Sequence, residues 1–418
     1  MRTRRWSVLA LIFLGILVSY VDRGNLSIAA VAIMRDFKLP PSSMGVLLSA
    51  FFWTYALFQI PAGLAVDRFG IRITYAAAVV VWSLASAAIA LTRGSPGMLS
   101  LRMVLGLAEA VAPLASLAFI RHNFSGPEHG LPVSIYISGQ TLGPAVGTLL
   151  GSILLVDFGW RAMFAVTGLS ALLWVPFWLY FAPRASAKKT QPAVAPAAAP
   201  RWSWSDVLSS GAFWALSAGA VLLAYYWYFF LTWMPSYLIV ARGFSTLGMG
   251  RILSTPLFIM AAINLAAGWL ADRLVAKTGQ VFQVRVWFVV IGLLGAASIL
   301  LLEVIPGRGP VLPLLIVSIC SFGIANSSYW AISQHTPPPG MVGRAIGYLN
   351  TVSQIGGILA PLITGWTLGP HKDFQVALLL AGSCPLIASL LLWLAGANGL
   401  DKLKGHLTSR AELQSLRT

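Results

Sequence analysis

Four charged side chains stand inside long apolar runs of this 418-residue chain: Asp22 and Arg23 in the run 7–34, and Arg102 and Glu109 in the run 98–120. An ionised group in hydrocarbon costs roughly 2.5–3.5 kcal/mol on insertion scales, so a charge inside a span marks a functional site by default. Arg keeps its charge at every working pH, and its planar fork meets a carboxylate with two parallel bonds. That suits it to hold an organic anion. A carboxyl group in a poorly solvated cavity favours its protonated form, whereas a nearby guanidinium favours the ionised one. An anion that competes for the guanidinium would free the carboxylate to take a proton. Proton and anion would then alter each other's binding by one shared coupling free energy. The alternative use of the four charges is a structural ion-pair cluster that locks helices together, a heavy burden in hydrocarbon.

Spacing fixes part of their arrangement. Arg102 and Glu109 are seven residues apart, two helical turns, and share a face about 10 Å apart along the axis. On the first helix Asp22 and Asn25 are i and i+3, and Arg23 and Ser27 are i and i+4. Asp22 and Arg23 themselves point about 100° apart. One can therefore face a central cavity while the other faces a neighbouring helix.

Such residues need a membrane scaffold to position them, and the composition supplies one. The chain is 58% hydrophobic and 10% charged with a mean hydropathy of +0.80, outside the soluble globular class. Apolar segments recur at 7–34, 43–66, 73–91, 98–120, 133–156 and 162–182, then at 212–240, 247–271, 286–304, 311–333, 345–368 and 374–397. With no water in the bilayer core each must be a helix, so the expected fold is all-α integral membrane, twelve transmembrane helices in two six-helix halves. The halves are 1–182 and 207–397, with a linker at 183–206 and a tail at 398–418. The linker carries Lys188-Lys189 and then a Pro/Ala tract that cannot hold a helix. The basic opening followed by an apolar run could pass for a signal peptide. That run continues past Asp22 without a small-residue cleavage site, so it reads as a retained first helix.

The net charge of +16 comes from Lys and Arg scattered through loops, which points to topology rather than to nucleic acid. Their excess on the side of both termini and the linker places these in the cytoplasm. Cys320 and Cys384 lie in apolar runs with no His or Cys beside them and read as buried packing, giving neither a disulfide nor a metal site. The histidines fall in loops or tails. Neither a phosphate-binding loop nor a Ser/His/Asp cluster is present, which leaves a gradient as the drive and argues against an enzyme.

The second half has no comparable buried charge; its intramembrane polar residues include Ser333, Asn350 and Gln354. For each of these a helix-to-helix hydrogen bond is an equal alternative to a ligand contact. The aromatic run Tyr225-Tyr226-Trp227-Tyr228-Phe229-Phe230 covers every face of its helix, so some rings touch lipid and one or two can cap a cavity.

An internal repeat supports two halves. Gly63-Leu-Ala-Val-Asp67-Arg68-Phe-Gly70-Ile-Arg72 follows the second span, and Gly268-Trp-Leu-Ala-Asp272-Arg273 stands at the matching place of the second half. In each, Gly permits close helix approach, Asp can accept from helix N-termini across the loop, and Arg anchors at the headgroups. The first copy resembles the cytoplasmic loop signature of the major facilitator superfamily. Tyr20-Val-Asp22-Arg23-Gly-Asn25-Leu-Ser27 resembles the first helix of its anion:cation symporter branch, which includes galactonate, glucarate and hexuronate permeases. Gln59-Ile-Pro61, Leu105-Gly106-Leu-Ala-Glu109, Ser138-Gly139-Gln140 and Trp160-Arg161-Ala-Met-Phe164 also match.

The resemblance implies proton-coupled symport of a small organic anion across the bacterial inner membrane. By a functional monomer and without cofactor or metal, it would proceed by alternating access. Arg23 would bind the substrate carboxylate, Asp22 and Glu109 would carry protons, and Arg102 would couple them. Tyr20, Tyr55 and Gln140 would line the cavity, with Ser333 and Asn350 near the polyol-binding positions. The loop 334–340 departs from the branch pattern. Two alternatives stand beside symport. One is proton-antiport efflux of metabolites or drugs, against which Arg23 argues for cationic cargo. The other is a transport-inactive membrane receptor, which has no use for the cavity acids.

Overall fold

A computed structural model describes residues 2–124, 130–183, 210–337, 342–369 and 373–415. In chain order the helices are α1 (Arg2–Asp36), α2 (Pro41–Leu57), α3 (Gln59–Phe69), α4 (Ile71–Ile89), α5 (Ser95–Glu109), α6 (Val111–Asn123), α7 (Gly130–Ala171) and α8 (Trp174–Phe181). Then follow α9 (Gly211–Val240), α10 (Thr246–Thr278), α11 (Val281–Ala296) and, after a 3-10 turn, α12 (Leu301–Val304). The set ends with α13 (Val311–His335), α14 (Val342–Thr367) and α15 (Gln375–Ser415).

Among the described residues ten helical stretches are long and apolar enough to cross a membrane, and the bent pair α2–α3 makes eleven. The longest stretch, Gly130–Phe181, breaks at Gly159, whose φ of +79° suits glycine, and is two spans. This gives the expected twelve. Proline sets two breaks within spans. Pro61 has no N–H to give the Leu57 carbonyl, and α2 and α3 meet there at 50°. Pro113 likewise leaves the Glu109 carbonyl without its helical donor, and α5 ends at that residue. Most of the linker lies outside the described residues.

The two halves join at one end of the bundle, the end away from the N-terminus. There one apolar core runs from Leu26–Met34 and Met44–Leu48 of the first half into the helices of the second. Gly45 of α2 meets the backbone of Gly365 in α14, where an added Cβ would come within 3.1 Å of its Cα. Gly250 of α10 lies on Ser152 and Thr148 of α7. Toward the terminal side a second core forms among first-half helices, joined from the other half, among the described residues, by Tyr228 and Ile358. The main packing of α3 there is on α4 and α6 of its own half. The bundle is closed at its far end and parted at its terminal end.

Candidate functional site

Glycines on α7 set the depth and rotation of α1. Gly139, Gly143 and Gly147 recur every four residues, so they form one ridge, and α1 lies directly on it. A Cβ at Gly139 would come within 3.0 Å of the Phe13 carbonyl, and one at Gly147 within 3.0 Å of Val21 Cα. Gly106 of α5 seats against the Phe51 carbonyl and Thr54 of α2 in the same way, and Thr54 Oγ1 donates to the Met103 carbonyl at 2.7 Å. These contacts bring α1, α2, α5 and α7 around one buried point.

Arg23 and Glu109 meet there. Nε and Nη2 of Arg23 both donate to Glu109 Oε2, at 3.2 and 2.8 Å. The guanidinium is walled by the rings of Tyr20, Phe51 and Tyr55, whose centroids lie 4.4, 4.5 and 4.9 Å from its central carbon. Such faces attract a cation through their quadrupoles. The Arg23 side chain keeps 8% of its surface exposed, and that of Glu109 none.

Asp22 turns the other way. Its Oδ1 accepts from Ser86 of α4 at 3.2 Å and from Asn25 at 3.3 Å, and Asn25 also donates to Thr167 of α7 at 2.8 Å. The expected angular separation of Asp22 and Arg23 is therefore seen: one faces α4 and α7, the other α2 and α5. Arg102 shares its helix with Glu109 but takes no hydrogen bond through Nε or Nη1, and sits 5.4 Å from the Phe51 ring.

Each acid uses one oxygen and leaves one without a donor. Among the described residues, Asp22 Oδ2 and Glu109 Oε1 are buried with no hydrogen-bond partner. Leaving such an atom unmet costs about 1–3 kcal/mol, more for a charged group. A proton on either oxygen, or an anion facing Arg23 and Arg102, would meet the unsatisfied groups. The cluster is thus chemically incomplete as it stands.

Of the remaining expected residues, Gln140 donates to the Tyr136 hydroxyl at 2.9 Å. Tyr136 is buried in the same apolar core as Tyr55, against which Tyr20 also packs. Ser333 is buried and donates to the Tyr329 carbonyl of its own helix at 3.0 Å. Asn350 is exposed and accepts from Gln354 at 3.5 Å. Neither is brought to Arg23 by any contact among the described residues.

Two residues of the cluster escaped the sequence reading as individuals. Tyr136 stands one turn before Gln140 in a run that looks like ordinary packing. Tyr228 is one ring of the aromatic run, and it crosses from the second half to pack on Phe52 at 4.4 Å, within the first-half core that holds Tyr55.

The loop motifs need correction in part. Gly63 and Gly268 do not admit a close neighbour: a Cβ at Gly63 would meet only Leu114, at 3.9 Å, and one at Gly268 nothing within 4 Å. The halves are parted on this side, so nothing presses on either glycine. Gly70 earns its place differently, with a φ of +79° between α3 and α4. Asp67 is exposed and, among the described residues, accepts no bond from a helix N-terminus, while Asp272 pairs with the Arg285 side chain at 2.5 Å. Arg68 lies 5.3 Å from the Phe69 ring and Arg273 4.0 Å from that of Trp269. Arg72 reaches inward instead, donating to the Leu179 carbonyl at 2.5 and 3.1 Å.

A family model described as the Major Facilitator Superfamily matches residues 12–361. A hexuronate transporter of Bacillus subtilis is 30% identical over 395 residues, covering 92% of each chain. A D-galactonate transporter of Escherichia coli is 29% identical over 412 residues, 93% of this chain and 94% of that one. Among solved structures, a bacterial homolog of the human lysosomal transporter Spinster, inward-facing and unoccupied, superimposes with a TM-score of 0.77 at 17% identity, over 98% of this chain and 99% of that one. The inward open xylose transporter XylE from E. coli gives 0.69 at 16% identity, over 96% and 99%. At that identity the likeness speaks for the fold alone.

Proposed function

We propose that this chain, which belongs to the Major Facilitator Superfamily, carries a small organic anion, a sugar acid or similar carboxylate, together with protons by alternating access. One observation carries the reading. At mid-depth of the first helix Arg23 is held by a single oxygen of Glu109 and walled by aromatic rings, in the first-half core on which Tyr228 of the second half packs through Phe52. The relatives named for hexuronate and galactonate support the choice of cargo.

The sequence of events follows from charge. An incoming carboxylate takes the guanidinium fork of Arg23, with Tyr20, Tyr55 and Gln140 about it, and Glu109 loses its partner. A freed carboxylate in that setting binds a proton, on the oxygen already without a donor. Asp22 is the second acid, and Arg102, whose Nε and Nη1 have no partner among the described residues, stands two turns from Glu109 on the same helix. Loaded with anion and protons the cluster carries less unpaired charge, and the halves can rock past each other. Ser333 and Asn350 of the second half would meet the cargo only after such a movement.

In this reading 1–182 and 207–397 are the moving halves, 183–206 is a cytoplasmic linker and 398–418 a cytoplasmic tail. The Arg and Lys excess on the terminal side supports cytoplasmic termini in a bacterial inner membrane. The parted end of the bundle then faces the cytoplasm. A single chain holds the whole cluster, which supports a functional monomer.

Binding tests the assignment. Purified protein should be stabilised in a thermal-shift series by D-glucuronate or D-galactonate, and Arg23→Ala should lose that shift while Arg93→Ala keeps it. A full shift retained by Arg23→Ala sinks the role given to Arg23.

A further inference from the structure

At the far end of the first half, α1 finishes beside the break in α7, and the two frame a groove of about 350 Å³. One wall is polar and prearranged. The Trp160 indole N–H donates to Asp36 Oδ2 at 2.8 Å, and Arg161 reaches the same oxygen at 3.5 Å while lying 4.2 Å from the Trp160 ring. Asp36 therefore holds and neutralises one guanidinium. The second, Arg35, also lines the groove, is exposed, and has no hydrogen bond or ion pair among the described residues. Two cations against one carboxylate leave the wall one positive charge in excess.

The opposite wall is apolar: Ala32 and Leu155 from the helix faces, with Phe158 at the rim, 68% exposed. On α7 the exposed side chains leading to it, Leu150, Ile153 and Val156, are apolar as well. A free inorganic anion would meet the arginines but leave this wall wet. An amphiphile entering from the bilayer satisfies both walls, and interfacial basic pockets between spans are where headgroup phosphates settle.

We infer that this groove binds the headgroup of a phospholipid of net charge −1 in the leaflet opposite the termini. Its phosphodiester lies between Arg35 and Arg161, and its glycerol and upper acyl carbons lie along Ala32, Leu155 and Phe158. Arg forks suit a phosphate. This site is separate from the Arg23 cluster and stands whether or not that cluster carries an anion.

The full chain reconstituted in equal phosphatidylglycerol and phosphatidylcholine, then extracted gently for native mass spectrometry, tests it. Wild type should retain phosphatidylglycerol in preference, and Arg35→Gln should cut that preference by about five-fold. Arg35→Gln with Arg161→Gln should abolish it, while Arg93→Gln, an exposed arginine outside the groove, should leave it unchanged. The Arg35 side chain has no protein partner among the described residues, so its single variant folds and keeps the test decisive. Equal retention by Arg35→Gln, or an equal loss in Arg93→Gln, overturns the site. So does release of the lipid by inorganic phosphate at millimolar concentration, since the groove would then be one for free anions.

Discussion

The two halves spend their cations differently. In the second half, Arg242 reaches the carbonyls of Leu302, Ile305 and Gly307, and Arg308 returns to those of Arg242 and Gly243 at 3.0 and 2.5 Å. Two of its buried hydroxyls close on backbone too: Tyr329 on the Leu216 carbonyl at 2.6 Å, Ser318 on that of Ala296 at 2.5 Å. In the first half Arg23 and Arg102 lie inside the span region, and acceptors and donors around them are left unmet. Burial alone does not tell function from scaffold. The difference lies in which groups are left unmet. Among the described residues the second half leaves mainly neutral atoms without a partner, such as the hydroxyls of Tyr225, Ser236 and Ser328, whereas the first leaves carboxylate oxygens of Asp22 and Glu109 beside guanidinium nitrogens of Arg102.

That contrast can be broken by substitution. Arg23→Ala has the largest expected effect: anion binding falls at least about 100-fold, and stability drops by about 3–5 kcal/mol because Glu109 is stranded. Arg242→Ala, its counterpart, should lower the melting temperature and leave affinity unchanged. Ligand titration beside thermal melts of both variants checks the pair.

Next in size, Gly143→Val should push α1 off α7 and cost about 1–3 kcal/mol with loss of uptake. Gly268→Ala, where nothing lies within 4 Å, should be neutral in the same uptake and melting assays. Tyr228→Phe keeps the ring that crosses between halves and removes only its hydroxyl, so affinity should change by a few-fold at most, read by titration. Smallest of all, Asp272→Asn removes a pair whose carboxylate is 70% exposed, and its melting point should move by what about 0–1 kcal/mol allows. A larger loss there than at Arg23 would reverse the comparison between the halves.

Much of this was legible in the residues. Apolar length gave the spans, since a chain crossing hydrocarbon has few alternatives to helix. Charges inside those spans pointed to Asp22, Arg23, Arg102 and Glu109, and the angle between Asp22 and Arg23 followed from helix geometry. Pairing was not legible. Spacing puts Arg102 on the face of Glu109, yet Glu109 pairs with Arg23 from another helix, because glycines on α7 and α5 set how closely the helices approach. Ser333 looked available, but a serine in a helix readily bonds a carbonyl one turn back, and this one does. Gly63 and Gly268 share a motif whose meaning depends on which end of the bundle is closed. The groove between Arg35 and Arg161 needs the turn at Gly159 to exist, and no local pattern announces it.

The central claim is that the unmet oxygens of Asp22 and Glu109 take protons when an anion holds Arg23. It is tested most directly in proteoliposomes that carry the wild type, Asp22→Asn or Glu109→Gln, measuring labelled sugar-acid exchange and then accumulation under an imposed inward proton gradient. The account predicts exchange by all three and accumulation by the wild type alone. Full accumulation by Glu109→Gln would contradict it.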